Sequence, residues 1–380
     1  MIILGRRDNF YKTVNHQTPE KIILDLGGNP LSSMDGKSMF ILMDFLGYKY
    51  YKDSRNELNY GNLQRLDERI LKYLDIDTRS VGTILKPMKS LFQKISAMEY
   101  IDEWGIRREF TGMYWEIVSS PLKGSTIDDL DKFKWPDPDT IDIKEVEGIR
   151  NEAKYLYENT DYVICGEHPI YGIFELGCWL CGFEDFLTKM ALDPDYVKKF
   201  FEIILEYQKK VIDIYYRFLG PYIHYTSSGD DFATQTSSFI SPGMFEELIK
   251  PYLKERIAYT KKFTKAAFLH HSCGNVFNLI PGLIDAGVEI LNPIQPVNES
   301  MSPKRLKTTY GHKICFHGGL DTQAILPFGT EENIELEVKK LIKTMAKNGG
   351  YIFAAAHNIQ EDVPPENLIN MFKFARKIRF

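Results

Sequence analysis

The feature that most constrains the fold is a unit that recurs along the chain: a short β-branched or aromatic run, a polar or glycine-containing turn, then an amphipathic stretch of helical length. Eight such runs predict strands, at residues 21–26, 81–85, 162–165, 222–226, 266–270, 288–291, 313–316 and 351–355. Helical patterns such as residues 196–216 and 331–347 lie between them. Strands that alternate with helices predict a parallel sheet, and eight of them predict an α/β fold, a single (β/α)8 barrel.

The spacing of the predicted strands is uneven. Residues 88–160 are too long for one connection, and they contain three of the four tryptophans. Alternating side chains over residues 107–118 favour strands in this stretch. We therefore expect one barrel domain over residues 1–380, with a hairpin or subdomain inserted at about 88–160 between the second and third strands.

Composition argues against several classes of protein. The 47 basic and 52 acidic residues give a net charge of −5. The chain therefore lacks the excess of positive charge that is typical of proteins that bind nucleic acid or an anionic membrane. No uncharged apolar run reaches the ~18 residues of a spanning helix. Five cysteines, an odd number, do not make a disulfide framework. We expect a cytoplasmic protein with reduced thiols and no nucleic-acid or membrane partner, and the sequence is compatible with a homodimer.

Polar residues gather directly after the predicted strands, where a barrel of this kind builds its active site. Five of the eight histidines lie there, namely His168, His270, His271, His317 and His357. The other polar residues at these ends include Asp25, Glu167, Asp230, Asp231, Gln235 and Asn292. This concentration favours an active site over ordinary loop chemistry. For Asp230 and Asp231 the sequence leaves metal binding, acid–base chemistry, substrate recognition and helix capping open.

The sharpest local motif is His271-Ser272-Cys273-Gly274-Asn275. Residues two apart at a strand end point the same way, so His271 and Cys273 can bind one ion together. Zinc prefers imidazole nitrogen and thiolate sulfur, and a catalytic zinc site needs about three protein ligands and an open position. His357, Cys315, His317 and Glu167 are each chemically suitable as the third ligand. The alternative is a buried histidine and a small apolar cysteine at the start of a helix.

Longer motifs are spread over almost the whole chain. They include Asp102-Glu103-Trp104-Gly105-Ile106, Trp135-Pro136-Asp137-Pro138, Gly229-Asp230-Asp231, His271-Ser272-Cys273-Gly274, Gly318-Gly319-Leu320-Asp321 and His357-Asn358-Ile359-Gln360. Together they resemble the uroporphyrinogen decarboxylase superfamily, specifically its branch of cobalamin-linked methyltransferases. The resemblance implies a (β/α)8 barrel, in agreement with the eight predicted strands.

Two activities occur in that superfamily, and the chain departs from the first. The decarboxylases carry an arginine-rich stretch after strand one that clamps substrate carboxylates, whereas here the matching place reads Asp25-Leu26-Gly27-Gly28-Asn29. Their aspartate motif after strand two is replaced by Leu85-Lys86-Pro87. A substrate with several carboxylates would meet an aspartate instead of a guanidinium, which disfavours porphyrinogen decarboxylation.

The methyltransferase branch binds zinc through a His-x-Cys pair after strand five and a cysteine after strand eight. His271 and Cys273 match the pair, and His357 occupies the place of the second cysteine, with Cys315 as a reserve ligand. The resemblance thus implies a zinc-dependent enzyme that moves a methyl group between a small methyl ether, methylamine or thiol and a corrinoid. The alternatives are a metal-free decarboxylase of a small acid and a catalytically silent ligand-binding barrel.

Roles for the other strand-end residues follow from the methyl-transfer hypothesis. Glu167, Asp230, Asp231 and His317 are predicted to position the substrate or move a proton, and Gln235 and Asn292 to bind the substrate. None of the eight histidines lies in the Asp-x-His-x-x-Gly context of a cobalamin-binding domain. We therefore expect a separate protein to carry the corrinoid.

Overall fold

Strands and helices alternate along the chain in the computed structural model, which describes residues 5–49, 65–112, 115–167, 169–296 and 298–379. The strands are β1 (Ile23–Leu24), β2 (Thr78–Val81), β3 (Gln93–Lys94), β4 (Glu99–Ile101), β5 (Arg107–Phe110), β6 (Trp115–Ser119), β7 (Val163–Gly166), β8 (Tyr225–Gly229), β9 (Ala267–His271), β10 (Ile290–Asn292), β11 (Cys315–His317) and β12 (Tyr351–Phe353). The helices are α1 (Arg6–Val14), α2 (Gly36–Phe45), α3 (Glu68–Tyr73), α4 (Ile127–Lys132), α5 (Ile143–Asn159), α6 (Ile173–Cys181), α7 (Phe183–Leu192), α8 (Pro194–Leu219), α9 (Pro242–Met244), α10 (Lys250–Thr260), α11 (Ile280–Ala286), α12 (Pro303–Tyr310), α13 (Ile325–Phe328), α14 (Glu331–Met345) and α15 (Pro365–Lys377). A π-helical turn, Phe245–Ile249, joins α9 to α10.

Eight of the strands form one parallel sheet in the order β1-β12-β11-β10-β9-β8-β7-β2, which curls into a nearly closed barrel. The two edge strands meet at Asp77, whose backbone N–H donates to the carbonyl of Leu24 at 3.0 Å. The backbone N–H of Leu24 donates in turn to Asp77 Oδ2 at 2.8 Å. The predicted α/β barrel is confirmed.

The second barrel strand lies earlier than the sequence predicted. It spans Thr78–Val81 rather than residues 81–85. The pattern failed because Thr78 and Arg79 are polar yet buried. The Arg79 guanidinium lies 3.7 Å from the ring centroid of Tyr162 and pairs with Glu68 at 2.7 Å, so its charge is compensated inside the fold. Hydrophobic alternation cannot reveal a strand of this kind.

The expected insertion between the second and third barrel strands contains a separate antiparallel sheet of four strands, β3 to β6. Its register pairs Lys94 with Tyr100 and Tyr100 with Arg108. Helix α5, at the end of the stretch predicted as insertion, packs against β2, β7 and α8. That helix therefore belongs to the outer layer of the barrel.

An apolar layer fills the lower part of the barrel interior, with Phe10 of α1 packed against it. The other members are strand residues with side chains on the inner face, namely Ile23, Val163, Cys165, Tyr225, Ala267, Leu269, Ile290, Cys315 and Ile352. Because side chains two apart on a strand share a face, the next inward positions toward the carboxyl end include His271 and His317. The next layer of inward-facing side chains, directly above this core, therefore contains polar residues. Within the described part of the chain, every helix is too short or too polar to cross a membrane.

Candidate metal centre

Three potential metal ligands meet at the carboxyl end of the barrel. His271 is the last residue of β9, Cys273 follows two residues later, and His357 lies shortly after β12. Their ligand atoms all lie within 4.8 Å of one another. His271 Nε2 and Cys273 Sγ are 3.3 Å apart, and the rings of His271 and His357 are 5.9 Å apart. The fold therefore brings together the three side chains that the sequence predicted as ligands.

The chemistry of this donor set suits zinc. Burial lowers the pKa of His271, and burial together with the nearby His271 lowers the pKa of His357 to about 4. Both imidazoles are thus neutral at physiological pH and can offer a lone pair. Burial, Asp231 and Glu175 raise the pKa of the Cys273 thiol, so its thiolate form depends on a positive partner such as a metal ion. Imidazole nitrogen and thiolate sulfur are ligands that zinc prefers, and three protein ligands leave a fourth position open.

The two neighbouring aspartates have different places. Asp231 Oδ1 accepts from the backbone N–H of Cys273 at 2.7 Å and lies 3.6 Å from His271 Nε2. Asp230 is buried and accepts from the backbone N–H groups of Phe174 and Glu175 at 3.3 and 2.7 Å, at the start of α6. Burial raises the pKa of Asp230 to about 7. Asp231 therefore lies beside the metal ligands, whereas Asp230 serves as a helix cap.

Glu175 is a site residue that the sequence reasoning missed. It lies in the first turn of α6 and its carboxyl accepts a hydrogen bond from the backbone of Asp231. Burial, then Asp231 and Asp230, raise its pKa well above the usual range. An acidic residue inside the apolar run of residues 173–183 was the signal available in the sequence. A carboxyl group that favours its protonated form thus lies close to Asp231 and Cys273.

Gln295, which follows β10, also contacts the centre. Its Oε1 accepts from the backbone N–H of Gly274 at 2.7 Å, and its Nε2 donates to Cys273 Sγ at 3.7 Å. These two bonds hold the amide against the cysteine and the turn after it. Gln295 therefore supports the geometry of the thiol.

A chain of hydrogen bonds runs from His271 into the barrel. His271 Nδ1 lies 2.6 Å from Asn292 Oδ1, and Asn292 Nδ2 lies 2.6 Å from His317 Nδ1. His317 Nε2 lies 2.7 Å from Asp25 Oδ2. Asn292 and His317, which the sequence predicted as substrate-binding and catalytic residues, thus have these polar side-chain atoms paired inside the protein.

The remaining predicted residues lie around this centre or away from it. Burial raises the pKa of Glu167, while a hydrogen bond with Ser80 and the positive charge of Arg65 partly oppose that rise. Gln235 is exposed in a turn, and its carbonyl accepts from Asn298 at 2.9 Å. Cys315, the reserve ligand, lies in the apolar layer. His168 lies outside the described residues.

Comparisons with known proteins agree on the family and the fold. The model of the uroporphyrinogen decarboxylase (URO-D) family matches residues 117–378. A uroporphyrinogen decarboxylase of Geobacter metallireducens is 22% identical over 273 residues, which is 69% of this chain and 73% of the relative. The chloroplastic uroporphyrinogen decarboxylase 2 of Oryza sativa is 29% identical over 153 residues, 40% of this chain and 36% of the relative. A solved methyltransferase from Methanosarcina mazei superposes over 98% of both chains with a TM-score of 0.63 at 16% identity, a likeness of fold.

Proposed function

The chain belongs to the uroporphyrinogen decarboxylase (URO-D) family, and from that premise we propose that it is a zinc-dependent methyltransferase acting between a small methylated substrate and a corrinoid. The observation that carries the proposal is the donor set of His271, Cys273 and His357, whose ligand atoms lie within 4.8 Å of one another. A decarboxylase that needs no metal has no use for a thiol and two neutral imidazoles in this arrangement.

The loop after β1 supports the same choice. No arginine stands in the Asp25-Leu26-Gly27-Gly28-Asn29 stretch, and the carboxylate of Asp25 is fully buried against His317. Neither feature offers a cationic clamp for a substrate with several carboxylates. The metal-free decarboxylase nevertheless stays the main rival, because the sequence relatives described above are named as decarboxylases.

Zinc held by His271, Cys273 and His357 would supply Lewis acidity to the heteroatom of the substrate. In the demethylating direction, the bond between that heteroatom and its methyl carbon would break, and a reduced corrinoid presented at this face would supply the electron pair that takes up the methyl group. The bonding electron pair stays on the heteroatom, which then takes one proton if it is not released as the anion. The transfer needs no external oxidant or reductant.

Two carboxyl groups are placed to handle that proton. Glu175 is buried beside Asp231 and favours its protonated form. The side chain of Asp231 is 38% exposed, so this carboxyl group connects the site with solvent. We assign the proton exchange at the site to these two residues, while Glu167 stays a predicted substrate-positioning residue.

The corrinoid is proposed to arrive on a separate protein. The ligands lie at the carboxyl ends of the barrel strands, so a carrier must dock at that face. A carrier that delivers and leaves needs only a transient, modest interface.

The test is zinc content followed by methyl transfer. We expect stoichiometric zinc in the purified wild type and its loss from the His271→Ala/Cys273→Ala double variant. The Cys315→Ala/His224→Asn double variant, which also removes one thiol and one imidazole, serves as the control and retains zinc. Mixed with a reduced corrinoid protein and candidate methyl donors, the wild type should change the cobalt absorption spectrum only when all three components are present.

Other outcomes would favour the rivals. A wild type without zinc, or a double variant that keeps it, would contradict the metal function. Release of carbon dioxide from a small acid by metal-free protein would support the decarboxylase. A tightly bound small molecule without turnover would support the silent ligand-binding barrel.

A further inference from the structure

A continuous chain of four polar side chains lies buried in the upper part of the barrel. It connects Asp25, which follows β1, through His317 of β11 and Asn292 of β10 to His271 of β9. We infer that Asp25, His317 and Asn292 are positioning residues that hold His271 with its proton on Nδ1 and its Nε2 lone pair directed to the metal site. This inference deepens the proposed function and rests on it.

All four residues of this chain are buried. The exposed fractions of the four residues are 0% for Asp25, 0% for His317, 1% for Asn292 and 5% for His271. The three links between them measure 2.7, 2.6 and 2.6 Å. At these lengths, and without solvent, each link requires one donor and one acceptor, since an unpaired buried polar group is costly.

The Asp25 carboxylate at one end and the Asn292 amide in the middle decide the direction of every bond. An ionised Asp25 can only accept, so His317 Nε2 donates. The amide nitrogen of Asn292 lies 2.6 Å from His317 Nδ1 and can only donate, so Nδ1 accepts this hydrogen bond. The amide oxygen of Asn292 therefore faces His271, whose Nδ1 must donate. The proton of His271 is thereby placed on Nδ1 and its lone pair on Nε2.

Asp25 is firmly anchored by other hydrogen bonds. Its carboxylate accepts from Ser32 Oγ at 2.6 Å, from the backbone N–H of Gly28 at 2.9 Å, and from Thr78 Oγ1. Although burial opposes it, hydrogen bonds from His317, Ser32 and Thr78 hold the pKa of Asp25 below its ordinary value. A Cβ at Gly28 would lie 2.1 Å from Asp25 Oδ1, so only glycine allows this approach.

The neighbouring histidine offers a matched comparison. His270 is also buried at the end of β9, but its side chain points away from the barrel interior, where Nδ1 lies 2.8 Å from Ser228 Oγ and the ring stacks on Phe232. Loss of that hydrogen bond removes a buried polar contact of the same strand and leaves the chain from Asp25 to His271 unchanged. Ser228→Ala is therefore the control variant.

The first measurement needs no metal. In ¹⁵N-histidine spectra of metal-free wild type, we expect His271 to carry its proton on Nδ1. In Asn292→Ala, which removes the acceptor, we expect a shift toward the tautomer with the proton on Nε2. Ser228→Ala should leave the His271 signals unchanged.

The second measurement is zinc affinity, read by competition with a chromophoric chelator and by the visible spectrum of the cobalt(II)-substituted protein. Asn292→Ala and His317→Leu should weaken binding by about 10- to 100-fold. His317→Gln should stay near the wild type, because a side-chain amide can donate to Asp25 and accept from Asn292. Thermal unfolding of each variant checks the fold.

Three results would overturn the inference: Nε2 protonation of His271 in the wild type, unchanged zinc affinity in His317→Leu, or an equal loss of affinity in Ser228→Ala. The wild-type spectrum decides the matter even if a variant does not fold. A wild type that binds no zinc but shows the expected tautomers would contradict the proposed function. It would still support Asp25, His317 and Asn292 as positioning residues for His271.

Discussion

Neighbouring residues in this chain have different roles because successive strand side chains point to opposite sides. His271 faces the other two potential metal ligands, whereas His270 is enclosed by Ser228 and Phe232. Burial then decides which protonation state each one favours. Burial and nearby Arg256 lower the pKa of His270 to about 3, so this imidazole stays neutral inside the fold.

His224, far from the metal ligands, gives a test of this effect. Burial, and then Arg7, lower its pKa to about 4, and its Nδ1 accepts from the backbone N–H of Ile164 at 3.0 Å. An unfolded histidine titrates at about pH 6.5, so between pH 6.5 and 4 the unfolded state binds a proton that the folded state does not. The free energy of unfolding therefore falls as pH is lowered through this window, by up to about 3 kcal/mol from this residue.

His224→Asn keeps an acceptor for Ile164 but cannot titrate. We expect its melting temperature to fall less steeply than that of the wild type between pH 6.5 and 4, as measured by circular dichroism. Part of the slope will remain, because His270 and His357 are also held neutral. An identical slope in both proteins would contradict the assignment.

At the scale of the helix, glycine in α6 serves close packing. A Cβ on Gly177 would lie 2.3 Å from the ring of Phe186 on α7, so the two helices meet at this position. Gly148, in α5, is exposed, and a Cβ there would have no heavy atom within 4 Å apart from its chain neighbours and the nearby backbone of its own helix. One residue type thus has a packing role in the first helix and none in the second.

The two glycines predict opposite effects of alanine. Gly148→Ala should raise the free energy of unfolding by about 0.5–1 kcal/mol, because alanine is the better helix former. Gly177→Ala should lower it by about 1–3 kcal/mol, because the overpacking outweighs that gain. Urea denaturation measures both, and a stabilised Gly177→Ala would show that α6 and α7 can separate at little cost.

At the scale of the whole molecule, Asp77 joins the two ends of the chain to the seam of the barrel. Its carboxylate lies 3.0 Å from Arg6 Nε and 3.0 Å from Arg376 Nη2, and it accepts from the backbone of Leu24. Only 4% of the Asp77 side chain is exposed. α1, β1 and α15 are therefore linked through one buried carboxylate.

Loss of that carboxylate should weaken the entire fold. We expect Asp77→Ala to lower the free energy of unfolding by about 3–5 kcal/mol, because two arginines lose their buried partner. Asp161→Ala is the control, since Asp161 also pairs with Arg6, at 2.9 Å, but is 54% exposed. An exposed pair contributes less than about 1 kcal/mol. Equal losses in urea denaturation would show that burial does not set the strength of this network.

The sequence alone determined the alternation of strands and helices, hence the α/β barrel, and it located the polar residues at the strand ends. It also identified the His271-x-Cys273 pair, because residues two apart at the end of a strand are related by local geometry. His357 as the third ligand, and the corrinoid, came from family resemblance rather than from spacing.

Only the tertiary structure decided the rest. It placed β2 at polar but buried residues, separated Asp231 from the helix cap Asp230, and brought Glu175 to the centre. It also joined His317 to Asp25, which is 292 residues away in the chain. Such contacts depend on which strands become neighbours when the barrel closes. Periodicity and spacing describe a segment's own geometry, and they hold no information about the distant segment that will face it.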